Sequence, residues 1–367
     1  MLERLVEVPD HSARARFLLA EAREKAGDLA AARAEYERVL ALDIDHPKAR
    51  ARAERLRPRS EAPRTANAAE TIAGVAGLGA EVSSRYRLQR ELGRGSSGAV
   101  YLARDEELGR DVALKLLHPH AASRGRAALR TRSFNEARLA AALRHPGVVA
   151  IYDLDEERNL IAMELAPGGT LRDLLQRGRL APSEALRCGV ELAGTLEAVH
   201  RAGIIHRDLK PGNLLFRAPV ALPGAGAHGD LVLGDFGLAL LGAAPRPTED
   251  GGAPEPLGTL GYMAPEQRLG ESSPACDLYA LGVILHEMLV GAPPFDRAAL
   301  LRGDARPGGA LPDSVVTSLG EVVSRSLHEL VERLLAADPA ARPSASEVKV
   351  RLSELRWLLD RARAVEG

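Results

Sequence analysis

The chain has 367 residues, of which 46% are hydrophobic and 27% charged, with a formal net charge of -1. This length and apolar content supply a sizeable core, in two domains or one large one. A near-zero charge with no basic run excludes general affinity for nucleic acid or anionic lipid, so partners must be chosen by a site and not by a field.

Cys188 and Cys276 are too few for a disulfide framework, and both sit in apolar helical contexts. They are expected as buried packing in a reducing cytoplasm. No signal peptide opens the sequence, and uncharged runs such as Thr71 to Ala80 are too short to span a bilayer, so a cytoplasmic protein with no membrane span is expected. Only five lysines occur among 49 Lys and Arg residues, at 25, 48, 115, 210 and 349. In so Arg-rich a chain, which suggests a GC-rich bacterial genome, Lys115 and Lys210 mark positions that want a compact point charge in place of a planar fork.

From residue 11 to 57, apolar positions recur at helical spacing: Phe17, Leu18 and Leu19, then Leu29, Ala32, Tyr36, Val39 and Leu40. Gly27-Asp28 interrupts them, which predicts two amphipathic helices around a turn. The run from about Ala13 to His46 resembles a single tetratricopeptide repeat, with Ala20, Gly27, Ala32 and Tyr36 on the small, turn and aromatic positions. It departs from that motif at Val39 and Ile44, and its proline comes late, at Pro47. Pro47 to Arg57 reads as the start of a second repeat or a cap. Three or more repeats are normally needed for a continuous core, so residues 1–57 are expected to pack on the rest of the chain, a second copy or a protein partner. A plain helical hairpin without a binding role is the alternative. Residues 58–84 turn to Ala, Gly, Pro, Ser and Thr and read as a flexible linker, with an end-to-end distance of about 30 Å.

Strand-like alternation begins at Tyr86 and runs into Leu92-Gly93-Arg94-Gly95-Ser96-Ser97-Gly98-Ala99-Val100. A glycine-rich turn of this kind lets the backbone approach phosphates. The extended flanks, and a second strand from Asp111 to Leu117 carrying Val112-Ala113-Leu114-Lys115, argue against a dinucleotide-binding fold, which needs a helix directly after the third glycine. A helix is predicted over roughly Ala127 to Leu143, with Glu136 the sole acidic residue between Asp111 and Asp153. Strands follow over Val148 to Leu154 and Leu160 to Leu165, then a helical pattern from Leu171 to Ala202.

His206-Arg207-Asp208-Leu209-Lys210-Pro211-Gly212-Asn213 gathers an acid, a cation and an amide in eight residues, on a loop held by the apolar Ile204-Ile205. Asp208 can take a hydroxyl proton, Lys210 can neutralise a phosphoryl oxygen, and Asn213 offers a hard oxygen of the kind Mg²⁺ takes. After an Ala/Gly/Pro insertion from Arg217 to Asp230, expected to be a surface excursion with little catalytic meaning, Leu231-Val232-Leu233 leads into Gly234-Asp235-Phe236-Gly237. These motifs, in this order, resemble the eukaryotic-like (Hanks-type) Ser/Thr protein kinases over about Tyr86 to Trp357.

The resemblance implies an α+β two-lobed fold, a small β-rich lobe before a larger α-rich one, over residues 85–357, with 358–367 as a helix end and tail. It implies ATP and Mg²⁺ as cofactors, with Asp208, Lys210, Asn213 and Lys115 catalytic and Asn213 and Asp235 on the metal. Nucleotide contacts fall on Leu92, Gly93, Gly95, Gly98, Val100, Ala113 and Lys115, on Glu136 as the partner of Lys115, and on the backbone of Glu164 and Ala166 at the hinge between lobes. Gly258-Thr259 and Ala264-Pro265-Glu266 resemble the end of an activation segment, with Arg342 the expected partner of Glu266. Asp277 opens the buried helix Leu278 to Val290, further amphipathic helices fall near Ser326 to Ala336 and Ala345 to Ala364, and Trp357 is expected in the core. Protein substrates with Ser/Thr acceptors and a transient homodimer for autophosphorylation are the implied partners. Thr248, beside Pro247 and Glu249, is the activation-segment hydroxyl left to accept a phosphate that could dock on Arg207. A pseudokinase scaffold presenting the N-terminal repeat is the alternative, although Lys115, Glu136, Asp208, Lys210, Asn213 and Asp235 are all present. Small-molecule phosphotransferases of the aminoglycoside type usually have His where Lys210 stands.

Overall fold

Gly27 closes the first described helix in a left-handed turn (φ 83°), and the Asp28 carboxylate accepts the Ala31 N–H at 3.1 Å to start the next. The two helices, α1 (Ser12–Lys25) and α2 (Leu29–Leu42), bury Ala20, Ala32, Tyr36 and Val39 together with Ala49. The alanines let the backbones approach, and the Phe17 and Tyr36 rings meet at 5.5 Å. The Tyr36 hydroxyl donates to Glu24 Oε2 at 2.7 Å, and Arg52 donates to the same oxygen at 3.0 Å. Burial and the Glu24 carboxylate push the phenol up to about 12.

The computed structural model describes residues 12–42, 48–49, 52, 55–56, 84–94, 98–117, 134–135, 137–218, 230–236, 240–241, 261–295 and 313–366. The chain divides into two units, Met1–Ala122 with Glu157–Asn159, and Ser123–Glu156 with Leu160–Gly367.

In the first unit, β1 (Tyr86–Arg94), β2 (Gly98–Asp105) and β3 (Arg110–Leu117) form an antiparallel meander. β2 and β3 pair without a slip from Gly98 opposite Leu117 to Asp105 opposite Arg110, whereas β1 bulges between Leu88 and Arg90 and between Glu91 and Gly93. Arg85 forks onto the fully buried Asp105 at 3.1 and 3.0 Å, and the same carboxylate accepts the Leu108 N–H in the β2–β3 turn. The Arg85 fork lowers the Asp105 carboxyl by more than burial raises it, so it stays below the ordinary carboxylate range.

The second unit is mostly helical. A helical stretch at 137–142 turns Ala140 into the core, and β4 (Ile151–Asp155) pairs antiparallel with β5 (Leu160–Met163). The short α3 (Leu171–Leu175) starts on a capping box, Thr170 with Asp173. α4 (Pro182–Arg201) enters through Pro182 at its first position. Two two-stranded sheets follow, β6 (Ile204–Ile205) with β9 (Leu240–Leu241), and β7 (Leu214–Phe216) with β8 (Leu231–Leu233). α5 (Pro274–Val290) is buried without interruption from Cys276 to Leu289, and α6 (Asp313–Leu319), α7 (Glu321–Leu334) and α8 (Ala345–Glu366) surround it and α4. The periodic Leu352, Leu355 and Leu359 of α8 join this core, and each fully buried Leu contributes roughly 1.5–3 kcal/mol.

Several expectations change. Trp357 is 56% exposed, with the Arg361 guanidinium 4.8 Å over its ring, so it is not core. The single helical run over Leu171 to Ala202 is broken between α3 and α4, where Gly178 (φ 140°) turns the chain and the Leu180 N–H donates to Met288 O. The strand predicted from Val148 starts at Ile151, and Val148 instead forms a parallel bridge with Leu233. The 58–84 linker before Ser84, the 219–229 part of the insertion, Thr248, Thr259 and the Gly258-Thr259 motif lie outside the described residues. Cys188 and Cys276 are buried free thiols, with burial pushing Cys276 up to about 12. Among the described residues no helix is long and apolar enough to cross a membrane.

Candidate active site

The loop after β6 is held from below by one carboxylate. Asp277, near the start of α5 and fully buried, accepts the His206 N–H on Oδ2 at 2.9 Å and the Arg207 N–H on Oδ1 at 2.8 Å, while His200 Nε2 donates to Oδ2 at 2.9 Å. Burial pushes the Asp277 carboxyl up, but the His200 hydrogen bond and the neighbouring donors outweigh it and hold the group below the usual carboxylate range. These bonds sustain Arg207 in the left-handed region (φ 68°), a conformation costing about 1–3 kcal/mol that persists only where the surroundings over-determine it. Gln267 Nε2 adds a bond to Arg207 O at 2.7 Å. His206, fully buried, donates from Nε2 to Gly234 O at 3.2 Å and meets the Phe236 ring edge-on at 5.0 Å.

On this base Leu209 is buried, and the residues on either side of it turn to the same place. Lys210 Nζ lies 2.7 Å from Asp208 Oδ2. A single 3₁₀ turn, Pro211–Asn213, returns the chain so that Asn213 Nδ2 donates to Asp208 O at 2.8 Å and to Asp208 Oδ2 at 3.3 Å. Because the amide nitrogen is used inside the loop, the Oδ1 carbonyl is the atom Asn213 has to offer a cation. The Gly234 N–H donates to Asn213 O at 2.9 Å, tying the end of β8 to the loop and delivering the exposed Asp235 in a left-handed conformation (φ 52°). A Cβ at Gly234 would stand 2.7 Å from Leu215 Cδ1, so a larger residue there would have to displace that side chain. One amide oxygen and one carboxylate from neighbouring backbone suit Mg²⁺, which keeps waters and takes few protein ligands alongside phosphate oxygens. Among the described residues no cluster of three or more His, Cys, Asp or Glu forms a closed metal cage.

In the first unit, Val100 stands directly opposite Lys115, and Ala113 lies two residues before Lys115 on the same face of the meander. Gly93 pairs with Val100, and Leu92 is exposed beside it. Gly98 admits no side chain, because a Cβ would fall 2.1 Å from Leu116 O. Gly95 and Glu136 lie outside the described residues. In the second unit, the Glu164 N–H donates to Ala150 O at 2.8 Å. Of the Glu164 backbone, then, the carbonyl remains to meet a ligand, together with the Ala166 N–H.

Glu266 and Arg342 form the expected pair, forked at 2.6 and 2.9 Å and buried. Two residues escaped sequence reasoning. His200 is one of them, since its carboxylate partner lies 77 positions on. Arg217, read as the start of a surface insertion, is the other: it forks onto Glu164 at 2.5 and 3.1 Å. Neither contact leaves a periodic trace; only the apolar helix and strand around each residue could have hinted at it.

Comparisons with known proteins agree with this geometry. A family model described as a protein kinase domain matches residues 86–351. The chain is 38% identical over 287 residues to serine/threonine-protein kinase PkaB of Streptomyces coelicolor, covering 76% of this chain and 65% of that protein. It is 35% identical over 278 residues to serine/threonine-protein kinase PknA of Mycobacterium tuberculosis, covering 72% and 59%, and 37% identical over 266 residues to PknL of the same species, covering 71% and 63%. It therefore spans less than two thirds of the length of these relatives. With the acid, cation and amide of residues 208–213 gathered on a buried carboxylate and the matched segment enclosing all of them, the chain belongs to the protein kinase family.

Proposed function

We propose that this chain is a Ser/Thr protein kinase that transfers the γ-phosphoryl group of ATP to Ser/Thr hydroxyls of protein substrates in bacterial signalling. The observation that carries this reading is the mutual geometry of Asp208, Lys210 and Asn213. In it, Asp208 orients the acceptor hydroxyl and takes its proton, and Lys210, already beside that carboxylate, neutralises the transferring phosphoryl oxygens. Asn213 Oδ1 and Asp235 would hold Mg²⁺, which when bound supplies charge neutralisation on the phosphate oxygens. Lys115 binds phosphate oxygens with Glu136 as its partner, the glycine turn at Gly93, Gly95 and Gly98 covers the phosphates, Leu92, Val100 and Ala113 pack on the base, and Glu164 and Ala166 bond it through their backbone. Positioning and charge do the work, as phosphoryl transfer requires.

The same reading makes residues 1–57 a tetratricopeptide-like segment that recruits a protein partner, in a cytoplasmic enzyme that autophosphorylates through a transient homodimer, with Thr248 the acceptor on the activation segment. The test of the kinase reading is incubation of purified protein with Mg·ATP and a basic protein acceptor, beside Lys115→Met. The wild-type chain is expected to label Ser or Thr, and the variant to remain folded with a loss on the order of 10³-fold. Substantial labelling by folded Lys115→Met contradicts the role given to Lys115.

A further inference from the structure

Residues 164–170 link β5 to α3, and their backbone is sewn to β7 at one end. The Gly168 N–H donates to Phe216 O at 2.8 Å, the Phe216 N–H donates to Gly169 O at 3.0 Å, and Gly168 runs so close that a Cβ would meet Ala218 O at 2.1 Å. The other end, at Glu164, is held by a side chain. Arg217 sits just past β7, where its own N–H donates to Asp230 O and closes the base of the 217–230 insertion. Its guanidinium Nε and Nη2 reach Glu164 Oε1 and Oε2 at 2.5 and 3.1 Å, and Nη1 donates to Pro146 O at 2.5 Å. The Ala150 N–H donates to Glu164 Oε2 at 3.2 Å, so the carboxylate is gripped from two sides. Both partners are largely covered, with 30% and 15% of their side chains exposed, which places this planar fork among the stronger ion pairs.

We propose that Arg217 is a nucleotide-positioning residue, which through the Glu164 carboxylate fixes the 164–166 backbone so that the Glu164 carbonyl and the Ala166 N–H are presented to the adenine edge of ATP. The inference rests on the kinase reading and adds a residue to it. It gives Arg217, the first residue after β7, a part in the nucleotide site, because this residue holds the linker. It also separates two functions of Glu164: the main chain meets the base and the side chain receives Arg217. Loss of the fork loosens the linker before ATP arrives, so the cost falls on nucleotide binding and not on the chemistry at Asp208.

The test is ATP binding by calorimetry and steady-state kinetics on the full chain with Arg217→Ala, Arg217→Lys, Glu164→Gln and the Arg217→Ala/Glu164→Gln double variant. Arg217→Ala is expected to weaken ATP binding and raise KM for ATP by about fivefold, with kcat within about twofold of wild type, the size of one partly exposed forked pair. Arg217→Lys, which keeps charge but not the fork, should recover part of the loss. The double variant should be no worse than the poorer single one, since both remove the same tie. Unchanged ATP affinity in a folded Arg217→Ala overturns the inference, as does a loss confined to kcat. Losses in Arg217→Ala and Glu164→Gln that simply add overturn it too. A wild-type chain that binds no ATP would bring down the kinase reading itself and this inference with it, an outcome distinguishable from wild-type binding that ignores Arg217.

Discussion

Glu266 and Arg342 show how single residues carry the fold under the site. Every guanidinium nitrogen of Arg342 is used: Nη1 and Nη2 fork onto Glu266, Nε donates to Ala336 O, and further bonds reach Ala275 O and Ala337 O, while the group lies 5.0 Å over the Tyr279 ring. Burial pushes the Glu266 carboxyl up, but the Arg342 fork, a backbone N–H and the Cys276 thiol together more than offset it, so the group is held below the ordinary carboxylate range. A depressed folded value means that the pair's stabilisation is complete above the unfolded carboxylate value of about 4.3 and is lost as pH falls through the folded one. Arg342→Met leaves the buried carboxylate alone and should cost about 3–5 kcal/mol at pH 7, read by urea denaturation. With the cation gone, burial is the largest influence left on Glu266 and favours its neutral form, so the deficit should shrink near pH 4.5. An equal deficit at both pH values would mean that packing, and not the charge pair, explains the loss.

Among the elements, the α1–α2 hairpin has its own small core of Ala20, Ala32, Tyr36, Val39 and Ala49, so its removal should not unpack the kinase segment matched at 86–351. Deleting residues 1–57 is expected to leave kcat and KM on a short peptide unchanged while weakening phosphorylation of a recruited partner, because a tether raises local concentration to roughly millimolar. Loss of peptide phosphorylation on truncation would instead make the hairpin part of the catalytic unit. The β1–β2–β3 meander was legible because β2 keeps a near-alternating pattern and β3 is an apolar run broken by Lys115, and the 206–213 loop because its residue types serve few other purposes. Trp357 was misread because its size suggests burial, yet the Leu352, Leu355 and Leu359 period already occupies the inner face of α8 and leaves position 357 outside. The break between α3 and α4 hung on one turn at Gly178, and the grip of Arg217 on Glu164 spans 53 positions that no local pattern records.

At the scale of the whole molecule, some of the buried polar groups among the described residues act as anchors: Asp105 in the first unit, and Asp277 and the Glu266–Arg342 pair in the second. The second unit uses Asp277 to hold a strained loop, and that loop to hold Asp208. Such an arrangement concentrates stability beneath the chemistry and leaves the acting side chains of Asp208 and Lys210 partly accessible. The proposed function therefore stands most directly on whether Asp208 acts as the base. Asn at this position keeps the size and still accepts from Lys210 and Asn213, but it cannot take a proton. The decisive measurement is single-turnover phosphoryl transfer from Mg·ATP to a Ser/Thr peptide by the wild-type chain and by Asp208→Asn, with ATP binding and the thermal midpoint measured on both. The expected result is transfer by wild type and a loss of roughly 10²- to 10⁴-fold in the variant, at unchanged ATP affinity and stability. Transfer by Asp208→Asn at the wild-type rate, or no transfer by a wild-type chain that binds Mg·ATP, would contradict it.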